Sequence, residues 1–268
     1  MKFLHSNTIL IYLLSFSSLF AQDTIRFSHS FPIKGDFIEL DNIGNIYLVK
    51  GQKLLSLNID GKVTYENSNL ALGEITSLDA SNALKMPVFF RDLSQVVYVD
   101  NKIGQIGERV QLDVAGFPLT YLVCTSYNNG LWMYDPFAFE LIRLSEQFQI
   151  ASRTGNLNQI LGVPIEPEYM REYNNFLVLA LPEEGILIFD RFGTYIKTVP
   201  VKGVKRFQIR SDRIYYLEDD GLGYYDLKFS TLGYLNWEVG PHKSFAVWND
   251  VLAVLRENRI DVYHIIER

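Results

Sequence analysis

The side chains of this 268-residue chain that could carry chemistry are four histidines, one cysteine and a recurring aspartate. His5, His29, His242 and His264 are scattered, and no His-Glu-x-x-His, paired Cys-x-x-Cys or Gly-x-Ser-x-Gly occurs, so neither zinc hydrolysis nor a nucleophile elbow has a local signature. Cys124 closes the apolar run that begins at Tyr121. It reads as a small buried hydrophobe, because nothing nearby would stabilise a thiolate, and a single thiol forms no intrachain disulfide. Asp60, Asp100, Asp190 and Asp226 recur at the ends of apolar runs. A carboxylate ring could hold calcium, but Asp at a strand end serves more simply as acceptor for the amides of the following turn. Gly221-Leu-Gly223 lacks the rest of a dinucleotide fingerprint and reads as a turn. These residues imply no metal, no cofactor and no catalytic set.

Two Asn-rich segments, Tyr127-Asn-Asn-Gly130 and Tyr173-Asn-Asn175, could read a sugar. Asn also tolerates the left-handed backbone of a tight turn between strands, which is the reading preferred for both. Trp132, Trp237 and Trp248 fall in or beside apolar runs and are assigned to core packing.

The elements that must position these residues follow from a repeat. A polar turn, an apolar run rich in Tyr, Val, Ile and Leu, a second turn and another apolar run recur six times. Asn45 to Val49, Met86 to Phe90, Gly130 to Tyr134, Asn175 to Leu179, Arg213 to Leu217 and Val251 to Leu255 are the first runs of each copy. Equivalent ends at 60, 100, 145, 190, 226 and 264 are separated by 40, 45, 45, 36 and 38 residues. Runs of about five β-branched or aromatic residues, punctuated by Gly, Asn and Asp, are strands, and four strands per unit of about 40 residues make a propeller blade. Neighbouring positions are apolar, so both faces of each strand are covered, as in blades packed against neighbours on either side. The expected fold is all-β: a six-bladed β-propeller of four-stranded antiparallel blades. The sixth unit has only three strands, and Thr24 to Phe31 is expected to join it as the outer strand and close the ring. Blade 3 is expected to end at Ile150, followed by a long polar insertion from Ala151 to Pro167.

Asp41-Asn-Ile-Gly-Asn-Ile-Tyr-Leu-Val49 with Leu57-Asn-Ile-Asp-Gly-Lys62 resembles the repeat of the NHL and TolB-like six-bladed propellers. Blade 3 departs from that pattern, with Ser145 where Asp would stand. The resemblance implies the propeller and a tendency to bind proteins, sugars or nucleic acids, without one activity.

Compartment and charge narrow the partners. Lys2, an apolar run from Ile9 to Phe20, and Ala21 have the layout of a secretory signal peptide over residues 1–21, leaving 22–268 as a single domain. That run is shorter than the roughly 20 residues needed to span a bilayer, so a periplasmic or secreted protein without a membrane span is expected. Removing it leaves 31 acids against 24 bases, which argues against nucleic acid. The 151–167 insertion shares a face with the turns between second and third strands, and long loops tend to be functional. Arg91, Asp92, Phe137, Phe139, Arg153, Asn156 and Asn158 are therefore the candidate binding residues. Acidic residues on the same face, Glu183, Glu184, Glu218, Asp219 and Asp220, would favour a basic protein partner. The expectation is an exported binding or scaffold propeller. The alternatives are a metal-dependent hydrolase or lactonase with Glu, Asn and Asp around a channel cation, and a glycan-binding module.

Overall fold

The computed structural model of the chain describes residues 24–68 and 72–266. Residues 1–21, expected from the sequence to be a signal peptide, lie outside the described residues. Among the described residues, twenty-four strands form six four-stranded antiparallel sheets. Blade 1 comprises β2 (Phe37–Leu40), β3 (Ile46–Lys50), β4 (Lys53–Leu57) and β5 (Val63–Ser68); blade 2 comprises β6 (Ser77–Leu78), β7 (Met86–Phe90), β8 (Gln95–Val99) and β9 (Gln105–Gln111). Blade 3 is β10 (Val123–Ser126), β11 (Gly130–Asp135), β12 (Glu140–Leu144) and β13 (Ile150–Arg153); blade 4 is β14 (Tyr169–Tyr173), β15 (Phe176–Leu181), β16 (Gly185–Asp190) and β17 (Tyr195–Val199). Blade 5 is β18 (Gln208–Arg210), β19 (Arg213–Glu218), β20 (Gly221–Asp226) and β21 (Thr231–Asn236). Blade 6 holds β22 (Ser244–Trp248), β23 (Val251–Leu255) and β24 (Arg259–Ile266), and β1 (Thr24–Pro32) pairs antiparallel with β24 as its fourth strand.

Packing explains why the runs are apolar at adjacent positions. Each buried cluster joins two neighbouring blades. Tyr47 and Val49 meet Val88, Phe90 and Val97 between blades 1 and 2. Trp132 and Leu141 meet Leu177, Leu187 and Phe189 between blades 3 and 4. Ile38, Ile46 and Leu57 meet Ala253, Leu255 and Ile260, so blade 6 packs back on blade 1. A strand whose two faces both contact neighbours has no polar side to alternate with.

The turns show what the recurring acids do. Asp100 Oδ1 accepts hydrogen bonds from the amides of Lys102 and Gly104, Asp190 Oδ1 from Phe192 and Thr194, and Asp226 Oδ1 from Lys228 and Phe229. In blade 1 the equivalent acceptor is Asn58, whose Oδ1 takes the Lys62 amide at 2.8 Å, so Asp60 is not the repeat position there. Ser145 fills the place in blade 3, its Oγ accepting from Gln147 and Gln149 at 3.3 Å. Asn128 and Asn129 both have positive φ between β10 and β11, as the tight turn requires.

The 151–167 segment needs correction at both ends. Ala151 to Arg153 belong to β13, the outer strand of blade 3, which pairs with β12. Leu157–Leu161 then forms a short helix, α1, with Leu157 fully buried, and Ile165 is buried beyond it. Sequence periodicity missed both, because β13 is mostly exposed and α1 is one turn long. Replacing the segment by a flexible loop would strip core residues, so it is not the neutral deletion that its polar composition suggests.

Candidate functional site

Antiparallel strands fix which loops share a face. The second-to-third-strand turns lie with the blade-to-blade connections, and the first-to-second-strand turns lie with the third-to-fourth-strand turns on the opposite face. The candidate residues all fall on or next to the first of these faces. Arg91 and Asp92 sit in a single 3-10 turn between β7 and β8, with the Arg91 guanidinium 5.1 Å from the Tyr121 ring centre. Phe137 and Phe139 occupy the β11–β12 turn, where Phe137 is 82% exposed and Phe139 has φ of 56°.

Helix α1 is docked on that turn. The Leu157 amide donates to the Phe139 carbonyl at 2.7 Å, and Asn156 Nδ2 donates to the Ala138 carbonyl at 3.1 Å. Asn156 also caps α1, its Oδ1 accepting from the Gln159 amide at 3.0 Å, as an N-cap should. Asn158 Oδ1 accepts from the Ile165 amide at 2.8 Å. Both Asn side chains are therefore occupied in holding the loop, and the groups left to meet a partner are the two Phe rings. Arg153 pairs with Glu140 and places its guanidinium 5.6 Å from the Phe117 ring. A continuous chain of contacts ties the blade 2 turn to this platform: Arg91 on Tyr121, Tyr121 edge-on to Tyr134 at 5.5 Å, and the Tyr134 hydroxyl donating to the Ile165 carbonyl at 2.8 Å.

A second feature lies on the axis and was not singled out by the sequence pattern. The inner strands β2, β6, β14 and β18 bring Glu39, Asp79, Tyr169, Arg171 and Gln208, all buried, to the central channel. Arg171 is bracketed by two acids: it pairs with Asp79 and, at 3.0 Å, with Glu39. It also donates to the Tyr169 hydroxyl, which in turn donates to Glu39 at 3.1 Å. Arg206 pairs with Glu39 from the side, and Gln208 Nε2 donates to it at 3.3 Å. Burial, the largest single influence, would raise the Asp79 carboxyl, and Arg171 is the strongest of the groups that oppose it. Together with Ser81 and the Thr125 amide, that guanidinium holds Asp79 below the usual carboxylate range. Burial opposes the charge on Arg171 too, and Asp79 and Glu39 more than restore it.

Beside this network, a cavity of about 330 Å³ is lined by Glu39, Asp41, Arg171, Glu172, Arg210 and Trp248, among others. Its rim carries Asn42, Ser81, Ser211 and Asn249 from the first-to-second-strand turns, so it opens on the face opposite Phe137. Trp248 corrects a core assignment: its ring packs on the blade 6–blade 1 cluster yet also lines this cavity. It lies so close to Gly44, which has φ of 92°, that an added Cβ would come within 2.7 Å of the ring. Glu172 accepts from Ser126 Oγ at 2.9 Å, the Tyr127 amide at 2.9 Å and Trp132 Nε1 at 2.6 Å. Burial still leaves its carboxyl above the ordinary value. Only Trp132 hinted at this cluster, as a polar-tipped ring in an apolar run that needs a buried acceptor.

The three histidines among the described residues line none of this. His29 contacts the Ile59 carbonyl, His242 the Gly240 carbonyl and His264 Asp250. Cys124 is fully buried, and burial pushes its thiol well above the usual range.

No protein-family model matches the chain, and comparison with curated proteins finds no match. Solved structures do resemble it. The WD40 domain of Neurospora crassa Pan2 superposes with a TM-score of 0.64 at 7% identity, over 92% of this chain and 96% of that one. A catalytically inactive virginiamycin B lyase from Staphylococcus aureus with quinupristin gives 0.62 at 12% identity, over 91% of this chain and 100% of that one. A chain from a structure of the mitotic checkpoint complex gives 0.63 at 10%, over 98% and 100%. At these identities the likeness establishes the fold, and the chain is a six-bladed β-propeller of four-stranded antiparallel blades.

Proposed function

We propose that this propeller is an exported binding scaffold of the cell envelope, periplasmic or secreted, that holds a protein partner. The observation that carries the reading is the pair Phe137 and Phe139, 82% and 37% exposed, on a turn held by α1 through the Asn156 cap. Exposed aromatic rings on a preorganised platform, with Arg91 and Arg153 nearby, have the composition of protein-binding hot spots. The export signal at Lys2 and Ile9 to Phe20 supports the compartment. The strand-and-turn pattern of blade 1 supports kinship with NHL and TolB-like propellers. WD40 and checkpoint-complex neighbours are consistent with a scaffold role by analogy of fold. The acidic turns at Glu183, Glu184 and Glu218 to Asp220 favour a basic partner. The test is capture of partners by immobilised mature protein. The Phe137→Ser/Phe139→Ser double variant, folded by circular dichroism, should lose a partner that wild type retains; equal recovery would reject the surface.

Trp248 favours one further reading, a polar small ligand such as a glycan in the axial cavity, since an aromatic wall with Asn and Arg around it suits a sugar face. Quenching of Trp fluorescence by oligosaccharides, lost in Trp248→Phe, would support it. The hydrolase reading finds less support. It requires channel carboxylates turned towards a cation, and here the positive charge between Glu39 and Asp79 is supplied by Arg171.

A further inference from the structure

We propose that Arg143, Tyr127 and Arg191 form a binding site for a carboxylate of an acidic peptide, on the face opposite Phe137 and at the seam of blades 3 and 4. The site is separate from the scaffold surface above and does not depend on it.

Arg143 and Arg191 differ from the six arginines that the molecule pairs with carboxylates. Arg153, Arg171, Arg206, Arg213, Arg256 and Arg259 each pair with a carboxylate. That is the expected outcome in a chain with 31 acids against 25 bases. The side chains of Arg143 and Arg191 make no ion pair or hydrogen bond among the described residues, although both are partly buried and the Glu172 carboxylate feels the charge of Arg191. Instead both lie over one ring: their guanidinium carbons are 4.3 and 4.0 Å from the Tyr127 centroid. In each, Nε is shielded from solvent without a partner, so the donors still free to meet a ligand are the terminal Nη groups.

The pair is held in place. Arg143 rises from β12 opposite Trp132, and the Tyr127 amide is fixed to Glu172. Arg191 is presented by a turn that Asp190 Oδ1 ties twice, through the Phe192 and Thr194 amides at 2.8 Å. Gly193 of that turn lies directly against Thr154 and Trp132, where an added Cβ would meet Thr154 at 2.7 Å. The two cations sit at most about 8 Å apart by the ring distances. An anion between or beside them would relieve their mutual repulsion and accept charge-assisted bonds from two rigid forks.

Phe192 selects a peptide over a bare anion. Its ring is 62% exposed and edge-on to Tyr127 at 6.4 Å, an apolar neighbour that an inorganic ion would not use. An Asp or Glu next to an aliphatic residue would fill both places, and arginine with exposed aromatics is the composition that peptide hot spots favour.

The test is fluorescence anisotropy of the mature protein with a labelled peptide alternating Asp and Leu, against the same peptide with Asn for Asp. Binding should require Asp, weaken as salt rises, and fall about tenfold in Arg143→Gln and in Arg191→Gln, as loss of one charge-assisted fork implies. Phe192→Ser should weaken it by a smaller factor of about three. Arg191 stands in a surface turn, so its variant keeps the test valid should Arg143→Gln fail to fold. Equal affinity for the Asn peptide, or unchanged affinity in Arg191→Gln, would overturn the proposal. So would full displacement by an equal concentration of inorganic phosphate with no effect of Phe192→Ser, which would reduce the site to a simple anion pocket.

Discussion

Replacing Arg171 by Leu should be among the most destabilising single changes in the molecule, and the cost should depend on pH. The guanidinium is buried between Asp79 and Glu39, with Tyr169 as a further acceptor. Leu leaves two buried carboxylates without their shared counter-charge, the situation in which breaking a buried ion pair costs about 3–5 kcal/mol. For a domain of this size that lowers Tm by roughly 10 °C. The sign with pH follows from Asp79. In the wild type its folded pKa is depressed, chiefly by Arg171 against the opposing effect of burial, so it contributes stability above the unfolded value of about 4 that is lost as pH falls through the folded one. In the variant, burial is opposed only by the Ser81 and Thr125 hydrogen bonds and the folded pKa rises, so the penalty is present at neutral pH and fades as the carboxyls protonate. The wild-type-to-variant gap in Tm, followed by near-UV circular dichroism or calorimetry, should therefore be widest near neutrality and shrink towards pH 4. A gap under about 2 °C at neutral pH, or one constant with pH, would refute the reasoning.

Three further outcomes are expected. Asp190→Ala should cost about 1 kcal/mol by orphaning the Phe192 and Thr194 amides, whereas Asp190→Asn should be tolerated, because Asn58 does the same work in blade 1; urea unfolding of both variants checks this. The turn amides outweigh burial and hold Asp190 low, so the Asn variant should also lose less stability than wild type on acidification. Deleting residues 22–33 bares the β24 edge and removes the contacts of His29 with Ile59 and of Phe31 with Gly61, which tie blade 6 to blade 1. Light scattering should then report oligomers formed through the open edge; a stable monomer with unchanged Tm would show that β1 is dispensable. Cys124 should resist thiol reagents in the native protein and react at once on unfolding, since burial both hides the sulfur and raises its pKa.

The blades were legible because packing on both sides favours apolar residues at adjacent positions of the middle strands, as in Ile46 to Val49 and Phe176 to Leu181, and because turn acceptors recur at a fixed place. The register slips only where chemistry substitutes: Asn58 and Ser145 accept the same turn amides that Asp accepts elsewhere, so a search for Asp misplaced blade 1 by two residues. Exposed outer strands carry little pattern, which hid β13 inside an apparent insertion. The axial network was illegible for a different reason. Glu39, Asp79 and Arg171 are single polar residues on short inner strands, far apart in sequence, and only ring closure brings them within bonding distance. Connectivity groups the candidate surface residues on or beside one face, yet connectivity could not show that Asn156 and Asn158 cap and brace a loop instead of facing outward.

The central claim, that the platform of Phe137, Phe139 and α1 holds a protein partner, is tested most directly by hydrogen exchange of the mature protein with its captured partner bound. The account predicts added protection at residues 136–139 and 154–161, with the turns at 211–212 and 249–250 unchanged. Protection confined to those turns on the opposite face, with the Phe137 turn exchanging as in the free protein, would contradict it.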